Sequence, residues 1–93
     1  MREKEIETAL VRAVKARGGL AIKFVSPGLN GVPDRLILMP GGCIAFIELK
    51  APGRKMRPIQ LKRAGQIEAL GFRVFCIDSK DQIGGVIDDI QSS

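Results

Sequence analysis

Ile6, Ala9, Leu10, Ala13 and Val14 recur at the spacing of one face of an α-helix, and Gly18-Gly19 ends that run. Leu20 to Val25 then reads as a strand, and Ser26 to Val32 as a glycine-rich loop. Leu36-Ile37-Leu38-Met39 and Ile44-Ala45-Phe46-Ile47 are strand-forming apolar runs split by Pro40-Gly41-Gly42, a hairpin signal. Ala51-Pro52-Gly53 breaks the chain. Arg57-Pro58 opens a second helix, with Pro58 in the first turn, where its missing N–H costs nothing. Leu61, Ala64, Ile67 and Leu70 predict the buried stripe of that helix, and Gly71 its end. Phe72 to Ile77 reads as a last strand, and Asp81 to Ile90 as a short helix weakened by Gly84-Gly85. The order is α-β-β-β-α-β-α. Both faces of the hairpin are apolar beyond one polar end, which predicts an α/β fold with helices on both sides of the sheet. No repeat, low-complexity tract or linker interrupts residues 1–93, which read as one domain.

The polar end of the hairpin carries the candidate chemistry. With a three-residue loop, Met39 pairs with Cys43, and counting back sets Asp34 opposite Glu48. Directly opposed side chains share a face, with Cβ atoms roughly 4.5–5.5 Å apart. Lys50, two residues beyond Glu48, points the same way. A two-residue loop would shift the pairing by one and turn Asp34 away. Opposed like charges destabilise a sheet, and a hard cation such as Mg²⁺ would relieve them, since it takes one or two carboxylates together with water and phosphate oxygens. A lysine beside such a site suits charge developing on a phosphate. Glu48 and Lys50 alone would equally make an ordinary surface ion pair. Arg35, following Asp34, faces the other side of the sheet and suits an ion pair there.

Composition narrows the chemistry mainly by what is missing. The chain has no histidine, which removes His-based triads and H-E-x-x-H zinc sites. Cys43 and Cys76 lie in apolar strand contexts without metal-ligand spacing and read as reduced core thiols of a cytoplasmic protein. No apolar run approaches the roughly 20 residues of a membrane span. The net charge is +5, yet Asp78, Asp81, Asp88 and Asp89 gather near the end, leaving the rest more basic. Between Lys50 and Arg63 there are five further cations, Arg54, Lys55, Arg57, Lys62 and Arg63, and no acid. Such a run fits a nucleic-acid backbone, and equally a solvated surface. Lys23 and Ser26, flanking the glycine-rich loop, are further candidate DNA contacts. Without Trp or Tyr to stack bases, contact through phosphates, and hence recognition of shape, is expected.

Pro33-Asp34 followed by Glu48-Leu49-Lys50 resembles the PD-(D/E)XK nuclease signature. The fuller string Phe24-Val25-Ser26-Pro27-Gly28, Gly31-Val32-Pro33-Asp34-Arg35 and Phe46-Ile47-Glu48-Leu49-Lys50-Ala51-Pro52-Gly53 resembles the virus-type replication-repair nuclease (VRR-NUC) branch, from the first helix to about Asp78-Ser79. That resemblance implies a restriction-endonuclease-like fold, with a mixed central sheet flanked by helices. It implies hydrolysis of DNA phosphodiesters with Mg²⁺ or Mn²⁺, selectivity for branched DNA such as four-way junctions or flaps, and a homodimer. The expected setting is a bacterial or phage-infected cell. Asp34, Glu48 and the Leu49 carbonyl would bind metal. A helix-one glutamate would complete the set, with Glu7 preferred and Glu3, one turn earlier on the same face, the alternative. Lys50 would act in catalysis, and Gln60 would position water or phosphate. The alternative function is a DNA-binding module of the same fold that does not cut.

Overall fold

The computed structural model describes residues 2–92. Helix α1 (Glu3–Ala16) leads into strands β1 (Leu20–Lys23), β2 (Arg35–Met39) and β3 (Cys43–Leu49). Helix α2 (Pro58–Ala69), strand β4 (Arg73–Ile77), a 3₁₀ turn at Lys80–Gln82 and helix α3 (Ile83–Gln91) follow. This is the element order read from the hydrophobic pattern. The strands lie in the order β1-β2-β3-β4, antiparallel except for β3 and β4, which run parallel and are joined through α2. Met39 pairs with Cys43 across Pro40-Gly41-Gly42, so the hairpin has the three-residue loop. Gly41 and Gly42 supply the positive φ angles, 85° and 77°, on which that loop closes.

This register decides which side chains meet. Ile37, Met39, Ala45, Ile47 and Leu49 share one face, where they pack with Ile6, Leu10 and Val14 of α1 and Ile83, Ile87 and Ile90 of α3. Burying each of the larger of these side chains contributes about 1.5–3 kcal/mol, so this layer is the main source of stability. Arg73 donates to the carbonyls of Asp89 and Ile90, which sit at the end of α3 where helical carbonyls run out of partners. Arg17 ties the end of α1 to Asp88 and Gln91 of α3.

The opposite face is less well covered than the pattern predicts. It presents Leu20, Ile22, Leu36, Leu38, Ile44, Phe46 and Val74, with Phe24 tilted and Phe72 edge-on against Phe46 at centroid distances of 5.5 and 6.1 Å. Helix α2 packs on β4, leaving Leu20 62% and Ile22 42% exposed. Its inward row is also not the predicted stripe. Gln60 and Ala64 are buried and Ile67 half-buried, whereas Leu61 and Leu70 are 58% and 76% exposed. The helix is rotated because a buried carboxylate on β3 holds Gln60 inward. Cys76 is likewise exposed, correcting the expectation of two core thiols, whereas Cys43, half-buried, packs against the core as expected. Cys76 pairs in register with Glu48, so it projects from the open face rather than into the core.

Candidate active site

One step past the last β2–β3 pair, Arg35 with Ile47, Asp34 stands against Glu48. Asp34 is fixed from both sides. Its Oδ2 accepts the Leu49 N–H at 2.9 Å, and its backbone carbonyl accepts the Phe24 N–H at 2.8 Å. Pro33, fully buried, sets the approach to it. Glu48 is only 2% exposed. Its Oε2 accepts from Gln60 Nε2 at 2.7 Å and lies 3.3 Å from Lys50 Nζ, while its Oε1 is buried with no hydrogen-bond partner. Burial first, and then the charge of Asp34, holds the Glu48 carboxyl above its ordinary range, with Lys50 pulling the other way. A buried acceptor left unsatisfied costs about 1–3 kcal/mol. That oxygen therefore has an open coordination position beside a second carboxylate.

Gln60 is committed at both ends of its amide. Oε1 accepts the Arg57 N–H at 2.8 Å, closing the N-terminus of α2, and Nε2 holds Glu48. It orients the carboxylate, where the resemblance implied contact with water or phosphate. The loop before Asp34 is clasped to the same helix. Arg63 Nε donates to the Asn30 carbonyl at 2.7 Å. Gly31, with φ of 81°, passes so close that a Cβ there would stand 2.7 Å from the Ile59 carbonyl oxygen. The glycine of Gly31-Val32-Pro33-Asp34 is thus required both by its conformation and by this contact.

Beside these groups, Lys50 opens onto a cleft of about 530 Å³ that it lines with Glu3, Ala51, Arg54, Lys55 and Arg57. The helix-one carboxylate beside the site is therefore Glu3, whose charge also raises the Glu48 carboxyl, after burial and Asp34. Glu7, the preferred third ligand, is not there: its carboxylate pairs with Arg35 at 3.0 Å on the other face of the sheet. Arg35 lies there by parity, since it and Asp34 are adjacent on an extended strand and point oppositely, and the docking of α1 brings Glu7 to it. Among the described residues no cluster of three or more His, Cys, Asp or Glu side chains could hold a metal, so the carboxylate set is the pair Asp34 and Glu48. That pair, with the orphaned Oε1, suits a hard cation that completes its shell with backbone, water and substrate oxygens.

The expected DNA contacts divide. Arg54, Lys55 and Arg57 line the cleft. Arg63 is occupied with Asn30 and Gln66, which makes it a loop anchor, and Lys62 is exposed on α2 apart from the cleft-lining residues. Ser26 turns the glycine-rich loop, its carbonyl accepting the Leu29 N–H. Lys23 lies across the sheet from the cleft, beside Arg35. The Gln60–Glu48 bond has no local pattern in the sequence that would reveal it. Glu3 and Glu7 are equivalent in the sequence, because no register between α1 and the sheet is written there.

No family model matches the chain. It is 52% identical over 81 residues to "Putative nuclease p44" of Acyrthosiphon pisum secondary endosymbiont phage 1, covering 87% of each chain. It is also similar to a solved VRR-NUC domain, with a TM-score of 0.86 and 31% identity, over 92% of this chain and 94% of that one.

Proposed function

The chain belongs to the VRR-NUC nuclease family, and from that premise we propose that it is a divalent-metal-dependent DNA endonuclease, selective for branched DNA and active as a homodimer. The observation that carries this reading is the unpartnered Glu48 Oε1, buried beside Asp34 and Lys50. Asp34, Glu48 and the Leu49 carbonyl would hold Mg²⁺ or Mn²⁺. A metal bound there would polarise a phosphodiester oxygen and make water more acidic.

The residues of the chain do the rest. Lys50, held at the cleft by Glu48, presents its ammonium to the charge that builds on the phosphate as it is attacked. Gln60 keeps Glu48 in one orientation, and the Leu49 N–H does the same for Asp34. Arg54, Lys55 and Arg57 neutralise flanking phosphates. Phosphate contacts position a protein on DNA without reading sequence, which favours selection by shape.

The open sheet face suits the dimer. Leu20, Ile22 and Ile44 are exposed on a continuous apolar surface. A two-fold interface buries the same patch on both copies, and a domain this small gains stability from doing so. The sheet face is thus the surface proposed for pairing. A panel of labelled four-way junction, flap and linear duplex, each with Mg²⁺, Mn²⁺ or EDTA, tests the activity. Metal-dependent cutting that favours the branched substrates is expected. Ile22→Lys should shift a sedimenting dimer toward monomer. Uniform inertness toward every DNA, with either metal, contradicts the proposal.

A further inference from the structure

A second groove, of about 440 Å³, runs between α1 and the β1–β2 end, lined by Lys4, Glu7, Thr8, Arg12, Lys23 and Arg35. Lys23 pairs with Arg35 in the β1–β2 register, so both project from the α1 side of the sheet, opposite to Asp34 and Glu48. Lys4, Thr8 and Arg12 succeed one another at four-residue intervals, forming one row along the helix. Glu7 neutralises Arg35, whereas Lys4, Arg12 and Lys23 enter no ion pair among the described residues. Three uncommitted cations therefore line one groove in which the cleavage site has no part.

The groove is matched to a polyanion rather than to a small ligand. At 1.5 Å of rise per residue, the row from Lys4 to Arg12 spans roughly 12 Å, the length of about three or four phosphates on one DNA strand. Its position relative to the cleft is informative as well. Glu3 lines the cleft and Lys4 the groove, so the first turn of α1 is the ridge dividing them. A duplex seated over Lys50 and Arg54 leaves this groove to a strand passing on the other side of that ridge.

We propose that the α1–β1 groove carries the phosphate backbone of a second duplex arm, with the first turn of α1 lying in the fork of a branched substrate. The inference rests on the nuclease reading above and adds to it the element that distinguishes branched from linear DNA. It assigns Lys4, Arg12 and Lys23 to the arm that is not cut.

The test is binding anisotropy at several salt concentrations, comparing a four-way junction with a linear duplex of the same arm sequence, in Ca²⁺ to hold cleavage in check. For Arg12→Ser/Lys23→Ser, the slope of log K against log salt should fall by about 1.8 on the junction, about 0.9 for each lost contact, and stay at the wild-type value on linear duplex. Arg12→Lys/Lys23→Arg, which keeps the charges, should restore the junction slope. Equal losses on both DNAs, or no loss on either, overturn the second-arm assignment. If wild-type protein cuts DNA with Mg²⁺ but the slopes behave in that way, only this assignment falls. If it neither binds nor cuts any DNA, the nuclease reading falls with it.

Discussion

Replacing Glu48 with glutamine separates what the site costs the fold from what it does for the substrate. The variant keeps the size of the side chain and an acceptor for Gln60 Nε2, and it removes a buried charge that faces Asp34. The wild-type carboxylate carries an unsatisfied oxygen, worth about 1–3 kcal/mol against folding, and the glutamine replaces it with an amide N–H that can donate to Asp34. Against this, the variant gives up the Lys50 contact, whose lysine side chain is 15% exposed and so retains some hydration. A net gain of about 1 kcal/mol in metal-free protein is expected, and in a domain of this size that is about 4–8 °C in Tm. The gain should depend on pH. Glu48 has a folded-state value raised above its ordinary 4.5. Its protonated form therefore favours the fold, an advantage complete below the unfolded value and lost as pH rises through the folded one. Melting curves in EDTA at about pH 4, 6 and 8 should show the two proteins close together in acid and Glu48→Gln increasingly ahead above it. A variant that melts below wild type at about pH 8, or a gain that ignores pH, would show that the Glu48 charge does not burden the fold. Cleavage by the variant should be lost throughout.

Lys50→Ala should lower kcat by about 10²–10³-fold, the usual cost of one transition-state donor, with KM for DNA little changed; a loss confined to affinity would make Lys50 a backbone contact. Gln60→Leu leaves both Glu48 Oε2 and the Arg57 N–H without this partner, so it should destabilise by about 1–3 kcal/mol and depress kcat more than DNA binding. Arg54→Ser/Lys55→Ser should reduce the salt slope by about 1.8 on every DNA, branched or linear; an unchanged slope would place these two side chains away from the backbone.

What could be read from the chain follows from the range over which each signal acts. The Met39–Cys43 register is local: Pro40-Gly41-Gly42 sets the loop length, and simple counting then brings Asp34 to Glu48. The direction of Arg35 followed from the same alternation, and its partner proved to be Glu7. The choice between Glu3 and Glu7 was not local. Both lie on one helix face, and only the docking of α1 on the sheet decides which reaches the cleft. The rotation of α2 was hidden for a similar reason. A pattern of apolar residues favoured Leu61 and Leu70, but the buried carboxylate of Glu48 turned a polar residue, Gln60, inward in their place. Composition flagged the cations between Lys50 and Arg63 as a group, yet Arg63 is bound to a loop carbonyl across 33 residues of sequence, a contact no local rule contains.

The role of the carboxylate pair is best read from single-turnover cleavage of an end-labelled four-way junction by wild type and Asp34→Asn, side by side. Asparagine can still accept the Leu49 N–H that anchors Asp34, so the fold is kept while half of the carboxylate pair is removed. Wild type should cut in Mg²⁺ or Mn²⁺ and not in EDTA, with Asp34→Asn slower by about 10²-fold or more. Cutting in EDTA, or cutting by Asp34→Asn at the wild-type rate, would overturn the metal-nuclease reading.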